Sequence, residues 1–380
     1  MKALIVSHLK YPNGDAGSIR HHLFAKMLYG MGYQVFAVGL GDSTKFQTRD
    51  MDGVTYLSLR ETDASKKGKI RSYLQFWPRF KKQLKAYAPD LILTDDLGPT
   101  QMMKLRFYCK RRKIRLVHDS VEWYSPEQFT CGKRSLTYIQ KNIVNRYILN
   151  KDFHVIAISE YLYDYFTSKG IPTVRIPILV SQKDIHTEKL TVEDKVVFTY
   201  AGQAGKKDYL HIMLEAFSML PQETLNKVEF RIVGCTREQV LTSGVPVEIL
   251  NHLGNAVCFY GRITHDRVLE ILQSTDFTIL IRSETQRYAK AGFPTKFVES
   301  LANSTPVICN LTSDLDRYLK DGENGFVVYG EKKEELWKVL QTAVELPLTI
   351  RKQMYVGAEK TVKTYFDCLK YEESLKQVIQ

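Results

Sequence analysis

The chain has 380 residues, 44% of them hydrophobic, which suits two packed domains better than one. Its 54 Lys and Arg against 42 Asp and Glu leave a net charge of +12, a balance suited to phosphate-bearing partners: nucleic acid, anionic lipid or nucleoside diphosphates. Six cysteines without CxxC spacing indicate neither a zinc site nor a redox pair, and no apolar run reaches the length of a bilayer span.

The opening MKALIVSHLKYP has an apolar run only over 3–6, which reads as a buried first strand and not as a secretory signal. Further strands are expected over 34–38, 54–57, 91–94, 115–118 and 154–158, with helices over 18–29, 70–87, 100–109 and 136–149. Short, nearly continuous apolar strands alternating with helices imply a parallel sheet covered on both faces. The segment 171–195 breaks the rhythm with Pro172, Pro177 and a polar run, and reads as a linker. Alternation restarts with strands over 196–200, 228–233, 256–259, 277–280, 306–309 and 326–328, and helices over 209–219, 265–273, 295–302 and 334–344; 349–380 reads as helix throughout. The expectation is α/β architecture: two doubly wound, Rossmann-like domains, 1–180 and 190–350, with ligands at the carboxyl ends of the strands and in a cleft between the sheets.

In the first half, the loop PNGDAGSIR after strand one offers Gly14 and Gly17 for tight turns and Ser18 as a helix cap. It is not a GxGxxG fingerprint. His118 and Asp119 end the strand 115–118, followed by Glu122, Trp123 and Tyr124, groups suited to sugar hydroxyls and faces. A merely structural histidine is the competing reading. The stretch 66–85 combines eight Lys and Arg with Tyr73, Phe76, Trp77 and Phe80, which suits an interfacial membrane helix or a solvated helix covering the sheet, with Pro78 interrupting it. No nucleic-acid-binding signature is present.

In the second half, Lys206 and Lys207 follow the glycine-bearing loop 202–205. Gly202 allows close backbone approach to a phosphate, and a lysine neutralises it; a solvated basic turn is the alternative. KAGFPTKFVESLANSTPVICN carries Pro294 and Thr295 at a helix start, where free amides, the helix dipole and Lys296 form an anion site. Glu299, one turn on, is placed to accept hydrogen bonds from ribose hydroxyls; a capped helix with a surface Glu is the alternative.

FPTKFVESLANSTPVI with DRYLKDGENGFVV resembles the donor-binding signature of retaining family 4 glycosyltransferases. YAGQAGKKD resembles that family's second-domain opening, FYGRI (with Arg262) a mid-domain strand-loop, and VHDSVEWY a first-domain loop of its polysaccharide-building members. The resemblance spans nearly the whole chain. It implies a GT-B fold and retaining transfer from a nucleoside-diphosphate sugar, without a metal or cofactor, to a saccharide or lipid-linked saccharide acceptor. It further implies that Glu299 holds the ribose, that the Thr295 and Lys296 amides face the diphosphate, and that backbone near Gly17 faces diphosphate and acceptor. By the same likeness His118 faces the transferred sugar, and the terminal helix, about 361–380, crosses back to the first domain. Lys207 is expected to act on the leaving diphosphate, and Asp119, Glu122 and Trp123 to lie on the acceptor side. The chain departs from the family pattern at Ala291, where a sugar-contacting Glu is usual, and at Gln203, where an Arg is usual; Arg282, Arg287 or Lys290 are candidates to compensate. An epimerase or hydrolase acting on the same donor, or a non-catalytic binding homologue, are the rival readings. A cytoplasmic protein, peripheral at the inner membrane face through its basic first domain, is the expected setting.

Overall fold

The computed structural model describes residues 1–7, 11, 16–39, 48–59, 66–95, 97–190, 194–203, 205 and 207–380, with backbone alone at 48, 58, 66–70, 72 and 73. Lys206, Asp96 and most of the loop 8–15 therefore lie outside the described residues. The chain divides into two compact units: Met1–Leu179 with Cys368–Gln380, and Val180–Asp367.

The first unit contains β1 (Lys2–Val6), β2 (Gln34–Gly39), β3 (Thr48–Met51), β4 (Val54–Ser58), β5 (Leu91–Thr94), β6 (Arg115–Ser120), β7 (His154–Ala157) and β8 (Thr173–Arg175). They form one sheet in the order β3-β4-β2-β1-β5-β6-β7-β8, parallel except for the edge pair β3–β4. The central strands are buried along almost their whole length, as their unbroken apolar runs require. From β4 to β8 the chain advances in one direction across the sheet. Right-handed crossovers then set the helices Lys66–Tyr87, Pro99–Arg112 and Leu136–Ile143 in a row on one face. The β1-to-β2 step runs the other way and carries the helix Ala16–Gly30 to the opposite face. The terminal helix Glu372–Ile379 packs on β6, β7 and β8, burying Leu375, Val378 and Ile379.

The second unit contains β9 (Val196–Ala201), β10 (Val228–Val233), β11 (Val257–Gly261), β12 (Phe277–Leu280), β13 (Val307–Asn310) and β14 (Gly325–Val328), all parallel, in the order β11-β10-β9-β12-β13-β14. Its core stacks Phe198, Phe217, Phe230 and Phe277, all fully buried. The strand order reverses between β9 and β12, so the topological switch point, where open parallel sheets bind ligands, lies there.

Several expectations are corrected. The stretch 171–195 is not all linker, because Thr173–Arg175 joins the first sheet as β8. The second unit begins at Val180 and extends to Asp367, beyond the expected 190–350. The tail is not one helix: Leu348–Tyr365 stays with the second unit, where Val362 and Phe366 are buried, and the crossing segment begins at Cys368. Phe366 ends the longer helix by packing among Phe293, Phe297 and Tyr318, with ring centroids 4.8–6.4 Å away. Pro78 does not interrupt its helix, which runs on from Lys66 to Tyr87. A helix-interior proline costs about 3 kcal/mol. Burial of Phe76, Phe80 and Leu84 on the same helix offsets that, at about 1.5–3 kcal/mol for each large apolar side chain.

Candidate functional site

The charged groups of the second unit converge at its switch point. Gly202 directly follows β9, and its amide donates to Val233 O at 2.8 Å. A Cβ on Gly202 would lie 2.1 Å from Lys296 Nζ and 2.6 Å from the Tyr200 hydroxyl oxygen, so only glycine leaves room for that lysine. Gly234, after β10, has φ +103, and a Cβ there would stand 2.4 Å from the Gly202 carbonyl. Sequence reasoning singled out Gly202 and missed Gly234, whose signal is its matching position after the neighbouring strand.

Lys296 Nζ donates to Asp208 Oδ2 and lies 4.6 Å from the centroid of the Tyr200 ring. Arg282, two residues beyond β12, donates from Nε to Asp208 Oδ1 at 2.8 Å. The Tyr200 hydroxyl stands 3.1 Å from Asp208 Oδ2. Burial alone would raise the Asp208 carboxyl, but Lys296 and Arg282 together hold it far below the ordinary carboxylate range. Burial lowers the Lys296 ammonium, against the pull of Asp208. Asp208 and Arg282 are the residues that sequence reasoning did not place at the centre: Asp208 lies 88 positions from Lys296, and only the neighbouring of β9 and β12 joins them.

The helix Thr295–Ala302 starts beside this cluster, with Pro294 buried at its N-cap. The amides of Thr295 and Lys296 precede any intrahelical partner and carry the positive end of the helix dipole. Glu299 is one turn on, half-buried, and lines a small concavity with Lys296, Ala201 and Thr278. Burial raises its carboxyl, while His265 and Lys296 pull it down. Lys207 is half-buried, and its carbonyl accepts from the Tyr288 hydroxyl. Arg262 stands exposed after β11. The structure thus gathers Gly202, Pro294, Thr295, Lys296 and Glu299.

The first-unit candidates fare differently. His118 does not end its strand: β6 continues to Ser120, and His118 is fully buried between Thr94 of β5 and Val155 of β7. Asp119 is not offered to a sugar. Both its oxygens are held by the buried Arg20, with Nε at 2.8 Å and Nη2 at 3.0 Å, and His21 Nε2 lies 3.5 Å away. Burial would raise this carboxyl; Arg20 and His21 instead hold it at about 2. Trp123 is a core residue at 2% exposure, donating to Asn142 Oδ1 at 2.9 Å with its ring against Tyr165 and Arg146. Glu122 is half-buried, and Gly17 lies in the first turn of the helix Ala16–Gly30.

Residues 181–361 match the family model for glycosyl transferases group 1, and residues 19–179 match the model for a glycosyl transferase 4-like domain. The chain belongs to the glycosyltransferases. It is 22% identical over 291 residues to an uncharacterised glycosyltransferase of Methanocaldococcus jannaschii, covering 73% of this chain and 70% of that one. Among solved structures, sucrose-phosphate synthase from Thermosynechococcus elongatus superposes with TM-score 0.77 at 15% identity, covering 100% of this chain and 98% of the other. HepE of Anabaena, in complex with UDP, gives 0.66 at 16%, covering 100% and 99%. These likenesses establish a GT-B fold for this glycosyltransferase. Its two departures remain in place: Ala291 is fully buried and offers no polar group, and Gln203 is exposed. Of the candidates to compensate, Lys290 is exposed, Arg287 half-buried, and Arg282 alone joins the Asp208 cluster. No helix among the described residues is long and apolar enough to cross a membrane.

Proposed function

We propose that this glycosyltransferase takes its sugar from a nucleoside-diphosphate donor and transfers it with retention to a saccharide or lipid-linked saccharide, in cell-surface polysaccharide or glycolipid assembly. The observation that carries this reading is the convergence of Lys296, a helix N-terminus and Glu299 at the switch point of the second sheet. Departure of a diphosphate builds negative charge on its oxygens. Lys207, Lys296 and the Thr295 and Lys296 amides are the groups that stabilise this charge, in a setting where preorganised dipoles act strongly. Glu299 accepts the ribose hydroxyls. Ala291 favours the rival reading of a non-catalytic binding homologue, because the usual sugar-contacting carboxylate is absent; an epimerase or hydrolase is the other rival. Incubating donor without acceptor separates the last: epimers or rapid release of free sugar speak for it.

HepE, whose solved complex holds UDP, makes uracil the first base to try. Calorimetry with a panel of nucleoside diphosphates is expected to single out one base, and Glu299→Ala to weaken it by about 1.5–3 kcal/mol, roughly ten- to a hundredfold. Unchanged affinity in a folded variant removes Glu299 from the site.

For its setting we propose a cytoplasmic enzyme held reversibly at the inner membrane face. Phe76 and Phe80 do not serve this purpose: both are buried, stacked with centroids 5.5 Å apart, and Trp77 is half-buried with Lys104 over its ring. The support comes from the neighbouring helices. Met103, Phe107, Leu136, Ile139 and Tyr147 are exposed there among Lys104, Lys110, Arg111, Lys133 and Arg134, also exposed.

A further inference from the structure

We propose that Arg282 is a diphosphate-binding residue of this enzyme, supplying the cation that Gln203 fails to supply, and that Asp208 is the positioning residue that aims Arg282 and Lys296 together. The proposal rests on the donor reading above and names the groups that make the site work without the usual arginine.

Three observations carry it. First, the Arg282 backbone is pinned: its amide donates to Asn310 Oδ1 at 3.0 Å, and its carbonyl accepts from Asn310 Nδ2 at 2.7 Å. Asn310 ends β13 with 1% exposure, so the clasp ties the Arg282 backbone, two residues beyond β12, to the end of a buried strand. Second, the guanidinium is anchored by one edge only. Nε is spent on Asp208, while neither terminal nitrogen has a hydrogen-bond partner among the described residues. An arginine held through Nε presents its remaining N–H groups as a fork that matches two phosphate oxygens. Third, Asp208 divides its oxygens between the two cations, Oδ1 to Arg282 and Oδ2 to Lys296, beside the free amides of the helix Thr295–Ala302.

A buried carboxylate that served only as counter-ion would oppose an incoming anion, so its removal would tighten anion binding. A carboxylate that positions two cations has the opposite signature: its removal lets them scatter and weakens binding. The charge count alone leaves one net positive charge on Asp208, Arg282 and Lys296. Lys207 and the helix amides add to it when a diphosphate arrives.

The test is titration calorimetry of the full chain with inorganic pyrophosphate in low-salt buffer, on wild type, Arg282→Gln, Arg282→Lys, Asp208→Asn and Lys296→Ala. Arg282→Gln is expected to weaken pyrophosphate at least tenfold. Arg282→Lys, which keeps the charge and a donor to Asp208 but loses the fork, guards against a folding defect and is expected to recover only part of that loss. Asp208→Asn is expected to weaken binding although it removes a negative charge. Wild-type affinity in folded Arg282→Gln overturns the proposal while leaving the donor reading intact, provided Lys296→Ala still loses binding. Tighter binding by Asp208→Asn overturns the positioning role. A wild-type chain that binds neither pyrophosphate nor any nucleoside diphosphate overturns the donor reading and this proposal together.

Discussion

Asp119→Asn separates a structural from a sugar-binding role for the first-unit carboxylate. In the folded chain Arg20 and His21 hold Asp119 at about 2, against 3.8 for an unperturbed Asp, which corresponds to roughly 2 kcal/mol of stability at neutral pH. Because the folded value is depressed, this stability is fully present above about pH 4 and is lost as the pH falls through about 2. Substitution by Asn also leaves Arg20 buried, at 4% exposure, without its counter-ion, and breaking a buried pair in this way costs about 3–5 kcal/mol. The measurement is hydrogen exchange of the amides of β6 and of the helix Ala16–Gly30, followed at several pH values, since two compact units need not unfold in one transition. Protection in Asp119→Asn is expected to fall by several kcal/mol at pH 7, and the gap to wild type to narrow between about pH 4 and 2. A variant with wild-type protection that has nonetheless lost transfer activity would falsify the structural assignment and return Asp119 to the acceptor.

Lys207→Ala is expected to lower kcat more than it raises the apparent donor KM, because charge on the diphosphate grows towards the transition state; a pure KM effect in steady-state kinetics makes Lys207 a ground-state binder only. Vesicle sedimentation tests the membrane setting: binding is expected to rise with anionic lipid and fall with salt, and exchanging Tyr147 and Leu136 for Ser to weaken it. No binding at low ionic strength refutes it.

The central strands were legible because each is a short apolar run buried on both faces, and five of the six strands of the second unit were placed within one residue of their observed ends. The edge strands of the first sheet were not. Thr48–Met51 holds polar residues and pairs antiparallel at the rim, and Thr173–Arg175 has three residues in a proline-flanked stretch that resembles linker. Helical periodicity continues through Phe366, so it could not reveal that this ring leaves the helix line to fill the aromatic pocket of the second unit. At the site, Lys296 and Glu299 were legible as near neighbours on one helix with a proline at its start. Arg20 with Asp119 is 99 positions apart, and Arg282 with Asp208 is 74 apart. No local pattern contains such pairs; they follow from strand order, which apolar periodicity does not encode.

Each unit buries a carboxylate against an arginine, and the way each arginine is spent decides which unit keeps charge for a ligand. Arg20 is nearly saturated. Its Nε and Nη2 hold Asp119, while Nη1 and Nη2 donate to the carbonyls of Pro177 and Ile176, fastening the exit of β8 to the helix Ala16–Gly30. One Nη1 N–H is left over among the described residues, and Asp119 lies near the end of β6, one strand from the β1–β5 step where the first sheet reverses its order. Arg282 stands at the corresponding reversal of the second sheet, between β9 and β12, and commits only Nε. Buried ion pairs with all their hydrogen bonds satisfied specify a fold; one with an open fork, set beside unpaired helix amides, is poised for an anion. By this criterion the diphosphate of the proposed donor would belong to the second unit. On the proposed reading, in which the first unit takes the acceptor, groups other than His118, Asp119 and Trp123 would have to recognise it, and half-buried Glu122 and the backbone near Gly17 are the candidates that remain.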